Sequence, residues 1–132
     1  MSTTAKGTFE VTLNPSPPYD TEKGATLSRM SVTKTFAGDL AGESTVEMLS
    51  AICEVQGSGA YVAIERVSGT LQGRKGTFVL QHNGTRDRGT STLHVTVVPD
   101  SATDELTGLL GRLHIDIREG KHFYTFDYEY RV

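Results

Sequence analysis

Three charged or titratable residues, Lys34, Glu65 and His82, fall among apolar neighbours in strand-like stretches of this 132-residue chain. An ammonium, a carboxylate and an imidazole held together away from water form either an ion pair that fixes register or a group that handles protons. They are the candidate catalytic residues. In the functional reading Glu65 holds the His82 tautomer, His82 moves a proton, and Lys34, Tyr61 or His122 steadies developing negative charge.

Other chemistries are weakly written. His82, His94, His114 and His122 lie on different predicted strands without a close ligand pair, so no metal site is expected. No Gly-x-Ser-x-Gly signature is present, and the glycine-rich pieces at 69–76 and 108–111 do not precede a helix, which removes a nucleophile elbow and a phosphate loop. Nothing calls for a cofactor. The single cysteine, Cys53, excludes an internal disulfide or a cysteine zinc site and reads as a packed apolar residue in a reducing compartment.

The 13 basic and 16 acidic residues give a net charge of −3 without runs of one sign, so neither nucleic acid nor a membrane surface is an expected partner. Residues Met1 to Gly7 lack the apolar stretch of about seven to fifteen residues of a secretory signal. No segment approaches the roughly twenty apolar residues that span a bilayer. A cytoplasmic protein is expected.

The elements that must position Lys34, Glu65 and His82 are strands. Fourteen glycines separate short segments rich in Val, Ile, Thr, Phe and Tyr. Thr8–Leu13 alternates Phe9, Val11 and Leu13 against polar residues, and the run Asn14 to Pro18 ends it because proline cannot donate to a ladder. Further strands are predicted at Thr26–Phe36, Leu40–Met48, Ala60–Leu71, Gly76–His82, Ser91–Val98, Gly111–Arg118 and Lys121–Tyr130. Thr45–Cys53 reads equally well as a short helix.

Eight strands suit closure, which removes exposed edges and leaves an interior that side chains fill or that holds one small ligand. The expected fold is all-β, a single eight-stranded antiparallel β-barrel spanning 1–132 with its core at about 5–131; a two-sheet sandwich is the second reading.

Directly opposed residues of an antiparallel pair share a face, so turns set registers. A two-residue turn at Gly73-Arg74, or a four-residue loop over Gln72–Lys75, opposes Leu71 to Gly76, Val67 to Leu80 and Glu65 to His82, and turns Phe78 inward. A turn at Glu119-Gly120 opposes Ile117 to His122, Ile115 to Tyr124 and Leu113 to Phe126. A three-residue turn over Ala37-Gly38-Asp39 sets Phe36 opposite Leu40, Met30 opposite Val46, and Lys34 opposite Gly42 on the apolar face. Val62, Ile64 and Val79 are left outside, where they suit a homodimer contact or a cover formed by the Asn14–Pro18 segment.

Four stretches carry a family resemblance: Lys34-Thr-Phe-Ala-Gly-Asp-Leu40, the run from Tyr61 to Gly73, Gly76-Thr-Phe-Val-Leu-Gln-His82, and Gly120-Lys-His-Phe-Tyr124. Together they resemble the uncharacterised bacterial family called domain of unknown function 3224, over about Gly7 to Tyr130. The resemblance implies a barrel of the allene oxide cyclase type and no activity. One departure is Ser101-Ala-Thr-Asp-Glu-Leu106, where family members usually read Ser-Gly-Thr-Gly.

The function expected first is the binding of a small apolar or amphipathic molecule in the lumen, through Tyr61, Phe78, Leu80, Ile115, His122 and Tyr124. A cofactor-free isomerase or cyclase acting on such a molecule is the second reading. A structural or interaction domain with a lumen filled by its own side chains is the third.

Overall fold

The computed structural model describes residues 2–131. Its strands are β1 (Thr3–Pro15), β2 (Ala25–Gly38), β3 (Leu40–Cys53), β4 (Gly59–Leu71), β5 (Arg74–Asp87), β6 (Thr90–Val97), β7 (Leu109–Arg118) and β8 (Lys121–Tyr130). Each strand pairs antiparallel with the next, and β1 pairs with β8, so the sheet closes into a barrel. A 3-10 turn at Asp104–Leu106 is the one helical element among the described residues. None of their helices is long and apolar enough to cross a membrane.

Three hairpins use two-residue turns with positive φ at both positions: Gln72-Gly73, Arg88-Gly89 and Glu119-Gly120. This is type I′ geometry, whose twist matches that of the flanking strands and which favours glycine in the second place. The Glu119-Gly120 register is as expected, with Ile115 opposite Tyr124 and Leu113 opposite Phe126.

The β4–β5 register differs from expectation by two residues. Its turn is Gln72-Gly73, which sets Val67 opposite Phe78, Glu65 opposite Leu80 and Ala63 opposite His82. The β2–β3 register is also displaced by two, with Phe36 opposite Gly42, Lys34 opposite Ser44 and Met30 opposite Met48. There Gly38 is engaged by β1, while Leu40 and Ala41 are engaged by β4, so the chain between β2 and β3 cannot tighten into a three-residue turn. A displacement of two preserves the face of every side chain.

Thr45–Cys53 is strand, held on both sides by β2 and β4. The first strand continues past Leu13 to Pro15, because β8 pairs with β1 only as far as Phe9 and the missing proline N–H leaves no bond unmade on that side. Ser16 and Tyr19 then bond along β2 to Arg29 and Leu27, leaving Val62 and Ile64 exposed.

Beyond Val97 the lower part of β5 is bonded by an irregular segment instead of β6. Val79 N donates to Ser101 Oγ at 3.0 Å, Thr77 N to Thr103 Oγ1 at 3.1 Å, and Thr103 N to Thr77 O at 2.9 Å. Asp104, at the position where the resemblance has its second glycine, takes φ +54°, a left-handed conformation that aspartate tolerates better than most residues. Leu106 then turns fully inside.

The lumen has two unlike halves. At the end carrying the β2–β3 and β4–β5 connections it is filled by Phe36, Leu40, Leu71, Phe78, Leu80, Leu106, Leu109, Phe126 and their neighbours. Toward the β3–β4 and β5–β6 connections a smaller cluster of Val32, Val46 and Ala63 gives way to the half-buried Met30, Met48 and Tyr61.

Candidate functional site

Lys34, Glu65 and His82 meet at the boundary between the two halves, all buried and all on inward rows set by strand alternation. Glu65 is fully buried. His82 Nε2 lies 2.7 Å from Glu65 Oε1, Lys34 Nζ donates to the same oxygen at 3.1 Å, and Ser44 Oγ donates to Oε2 at 2.6 Å. The Lys34 ammonium also stands 4.8 Å from the centre of the Phe9 ring, whose face attracts a cation.

Burial alone pushes the Glu65 carboxyl up. The hydrogen bond to His82, the charge of Lys34 and the hydrogen bond from Ser44 outweigh that effect and hold it below the usual glutamate range. Glu65 is therefore a carboxylate, and His82 meets it with Nε2–H as donor.

This leaves Nδ1 as an acceptor in the neutral imidazole, and the Tyr61 hydroxyl lies 3.3 Å from it. Burial, and then the nearby charge of Glu65, raise the Tyr61 pKa, so the phenol keeps its hydrogen and donates it to Nδ1. The result is a directed chain from Tyr61 through His82 to Glu65, with Lys34 and Ser44 steadying the far end.

Tyr61 is its outlet. Its ring lines a cavity of about 810 Å³ with Met30, Met48, Ser50, Gly84 and Leu93, and with Arg86 nearer the mouth. The ring lies over Gly84, its directly opposed partner on β5, where an added Cβ would come within 2.5 Å of the Tyr61 ring. Gly84→Ala is therefore expected to push Tyr61 away from His82 at a stability cost of about 1–3 kcal/mol. Chemical denaturation reads the cost, and loss of the Tyr61 contact appears as a changed His82 ring signal in NMR.

The remaining sequence candidates divide. Phe78, Leu80 and Tyr124 are buried in the filled half, away from the cavity. The Tyr124 hydroxyl accepts from Leu40 N at 2.8 Å and faces the carbonyls of Leu40 and Ala37, which clips the β2–β3 connection. Ile115 is half-buried against the main core. His122 packs at a tilt against Phe9, ring centres 5.0 Å apart, and borders a separate hollow beside β1. Away from the lumen, His94 meets Arg112, and His114 meets Asp127 on the surface.

Sequence reasoning missed Ser44, because the displaced register set Gly42 opposite Lys34. The signal was present: Ser44 shares the inward parity of Leu40, Val46 and Met48. It also missed Met30 and Met48 as cavity walls, since both read simply as apolar strand residues.

A family model described as protein of unknown function (DUF3224) matches residues 5–128. A crystal structure of a protein of unknown function from that family, from Shewanella oneidensis MR-1, is 47% identical and superposes with a TM-score of 0.95 over 100% of both chains. No curated protein matches the sequence.

Proposed function

Since the chain belongs to the DUF3224 family of proteins of unknown function, membership carries no activity, and we propose from the geometry that it binds a small apolar or amphipathic molecule in the open half of its barrel. The observation that carries this reading is the cavity of about 810 Å³, walled by Met30, Met48, Ile52, Tyr61 and Leu93, with Arg86 and Glu54 among its polar lining residues. Sites for small molecules have this make-up: a mostly apolar wall of a few hundred to a thousand or so cubic ångströms with a few placed polar groups. Methionine suits such a wall because its flexible thioether adapts to ligand shape. The unpaired Cys53 beside the cavity supports a reducing, cytoplasmic setting.

The neutral fluorophore N-phenyl-1-naphthylamine tests the reading. Its emission is expected to rise saturably at about one molecule per chain. Met48→Arg, which places a long cation in the cavity, is expected to abolish the rise, while Ile64→Arg on the outer wall leaves it intact. Circular dichroism confirms that both variants fold. A wild-type chain without saturable binding, or equal binding by Met48→Arg, overturns the reading.

A further inference from the structure

The registers order one side of the open half by height. Directly opposed residues share a face, so the pairings from β3 to β6 stack the inward side chains in rows. The lowest of three rows holds Met48, Ala63, His82 and Val95, and the next holds Ser50, Tyr61, Gly84 and Leu93. Above them, lining the mouth of the cavity, stand Ile52, Gly59, Arg86 and Ser91. Arg86 is the one charged side chain in the upper two rows.

Its surroundings leave it room and no partner. Gly59 beside it on β4 and Gly84 beneath it on β5 carry no side chain, and Ser91 opposite it on β6 offers a hydroxyl with Cβ atoms roughly 5 Å apart. Among the described residues the Arg86 guanidinium makes no hydrogen bond, ion pair or ring contact, whereas Arg29 holds Glu47, Arg118 holds Asp116 and Arg74 lies over Tyr130. Glu54, the other charge lining the cavity, is engaged elsewhere. Its Oε2 accepts from Gly24 N at 3.0 Å, and its own N–H donates to Gly24 O at 3.0 Å.

A guanidinium is a planar fork of donors that fits a carboxylate with two parallel hydrogen bonds. At the mouth, water still reaches both charges, so a head group held there escapes most of the cost of burial. The apolar surface for a tail lies below it. We infer that the open half binds an amphipathic carboxylate tail-first, with the carboxylate on Arg86 and Ser91 at the mouth and the tail against Met30, Met48, Tyr61 and Leu93. This rests on the cavity-binding reading and names the class of its ligand. A neutral head would leave Arg86 as it stands, and a cationic head would face it as a like charge with only Glu54, already serving Gly24, to receive it.

Decanoate, decanol and decyltrimethylammonium carry one tail under an anionic, a neutral and a cationic head. Each is titrated calorimetrically into the full chain at about pH 7.5, where decanoate is ionised, below its micelle-forming concentration, and is then used to displace N-phenyl-1-naphthylamine. Decanoate is expected to displace the fluorophore, to bind more tightly than decyltrimethylammonium, and to weaken as salt is raised. Arg86→Gln is expected to lower decanoate affinity about tenfold while decanol and the fluorophore keep theirs. Arg66→Gln, which removes an outward arginine of β4, is expected to change none of them.

Unchanged decanoate affinity in Arg86→Gln, or an equal loss of decanol, overturns the inference. So does decanoate that binds without displacing the fluorophore, or tighter binding of decyltrimethylammonium, which would give the mouth to Glu54. If decanol and the fluorophore bind and decanoate does not, the ligand class fails while cavity binding stands; if none of them binds, both fail.

Discussion

Glu65→Ala is expected to destabilise the protein by about 3–5 kcal/mol at pH 7, read from urea denaturation midpoints. The cost arises less from any bond Glu65 makes than from what its removal leaves behind. Lys34 and His82 share one of its oxygens in a buried layer, and without the carboxylate the ammonium beside the faces of Phe9 and Phe36 loses its counter-charge. Glu65→Gln keeps the volume and an oxygen for His82, so it should cost less, but it too leaves Lys34 without its anion.

The pH dependence has a definite sign. The folded-state pKa of Glu65 is depressed, so its contribution is fully present above the ordinary glutamate value of about 4.3 and is lost as pH falls through the folded value below that. The stability gap between wild type and Glu65→Gln should therefore hold from pH 7 to about pH 5 and narrow in stronger acid. A gap that widened on acidification would mean that Glu65 is protonated in the folded protein.

Phe78→Ala should be comparably damaging, at about 3–5 kcal/mol. Phe78 is fully buried and lies nearly parallel to Phe126, with ring centres 5.9 Å apart, while Phe126 in turn stacks on Tyr128 at 5.4 Å. The neighbouring strands are tied together by their ladders and cannot close on the void. Met48, half-buried beside the cavity, makes the contrast: truncation there enlarges a space that already exists. A loss below about 1 kcal/mol for Phe78→Ala would place the packed half elsewhere.

The architecture was legible because alternation is a strong signal when one face is wet and the other buried. Phe9, Val11 and Leu13, or Leu113 and Ile115 opposite Phe126 and Tyr124, declare their inward row without help from distant parts of the chain. Turn identity was legible only in part. Glu119-Gly120 is the one X-Gly pair at its junction, whereas the stretch from Leu71 to Gly76 holds two glycines and admits two turns. The choice between them depends on which pair matches the I′ twist.

The two register displacements left the cluster recognisable because both were even. Glu65 and His82 kept their shared face as diagonal neighbours instead of opposed ones, and still lie 2.7 Å apart. Lys34 joined them through barrel curvature, which no pairwise register contains. For the same reason, alternation assigned Phe78, Leu80, Tyr61 and Tyr124 to one inward surface but could not say at what height each stands. Height separates the filled half from the open one, and it emerges only when all the strands and the 98–108 connection are in place.

That connection has a consequence for how faithfully the closed end is specified. A ladder bond comes from the backbone and forms with nearly any residue other than proline. Where the chain from Val98 to Thr103 stands in for a strand beside β5, two of the bonds come from the hydroxyls of Ser101 and Thr103. Such bonds exist only when the right letter occupies the right position. Most of this barrel's wall is thus written in a degenerate code that tolerates spelling changes, while one short passage is written literally, and an alanine at either hydroxyl would erase a bond that the backbone has no means of restoring.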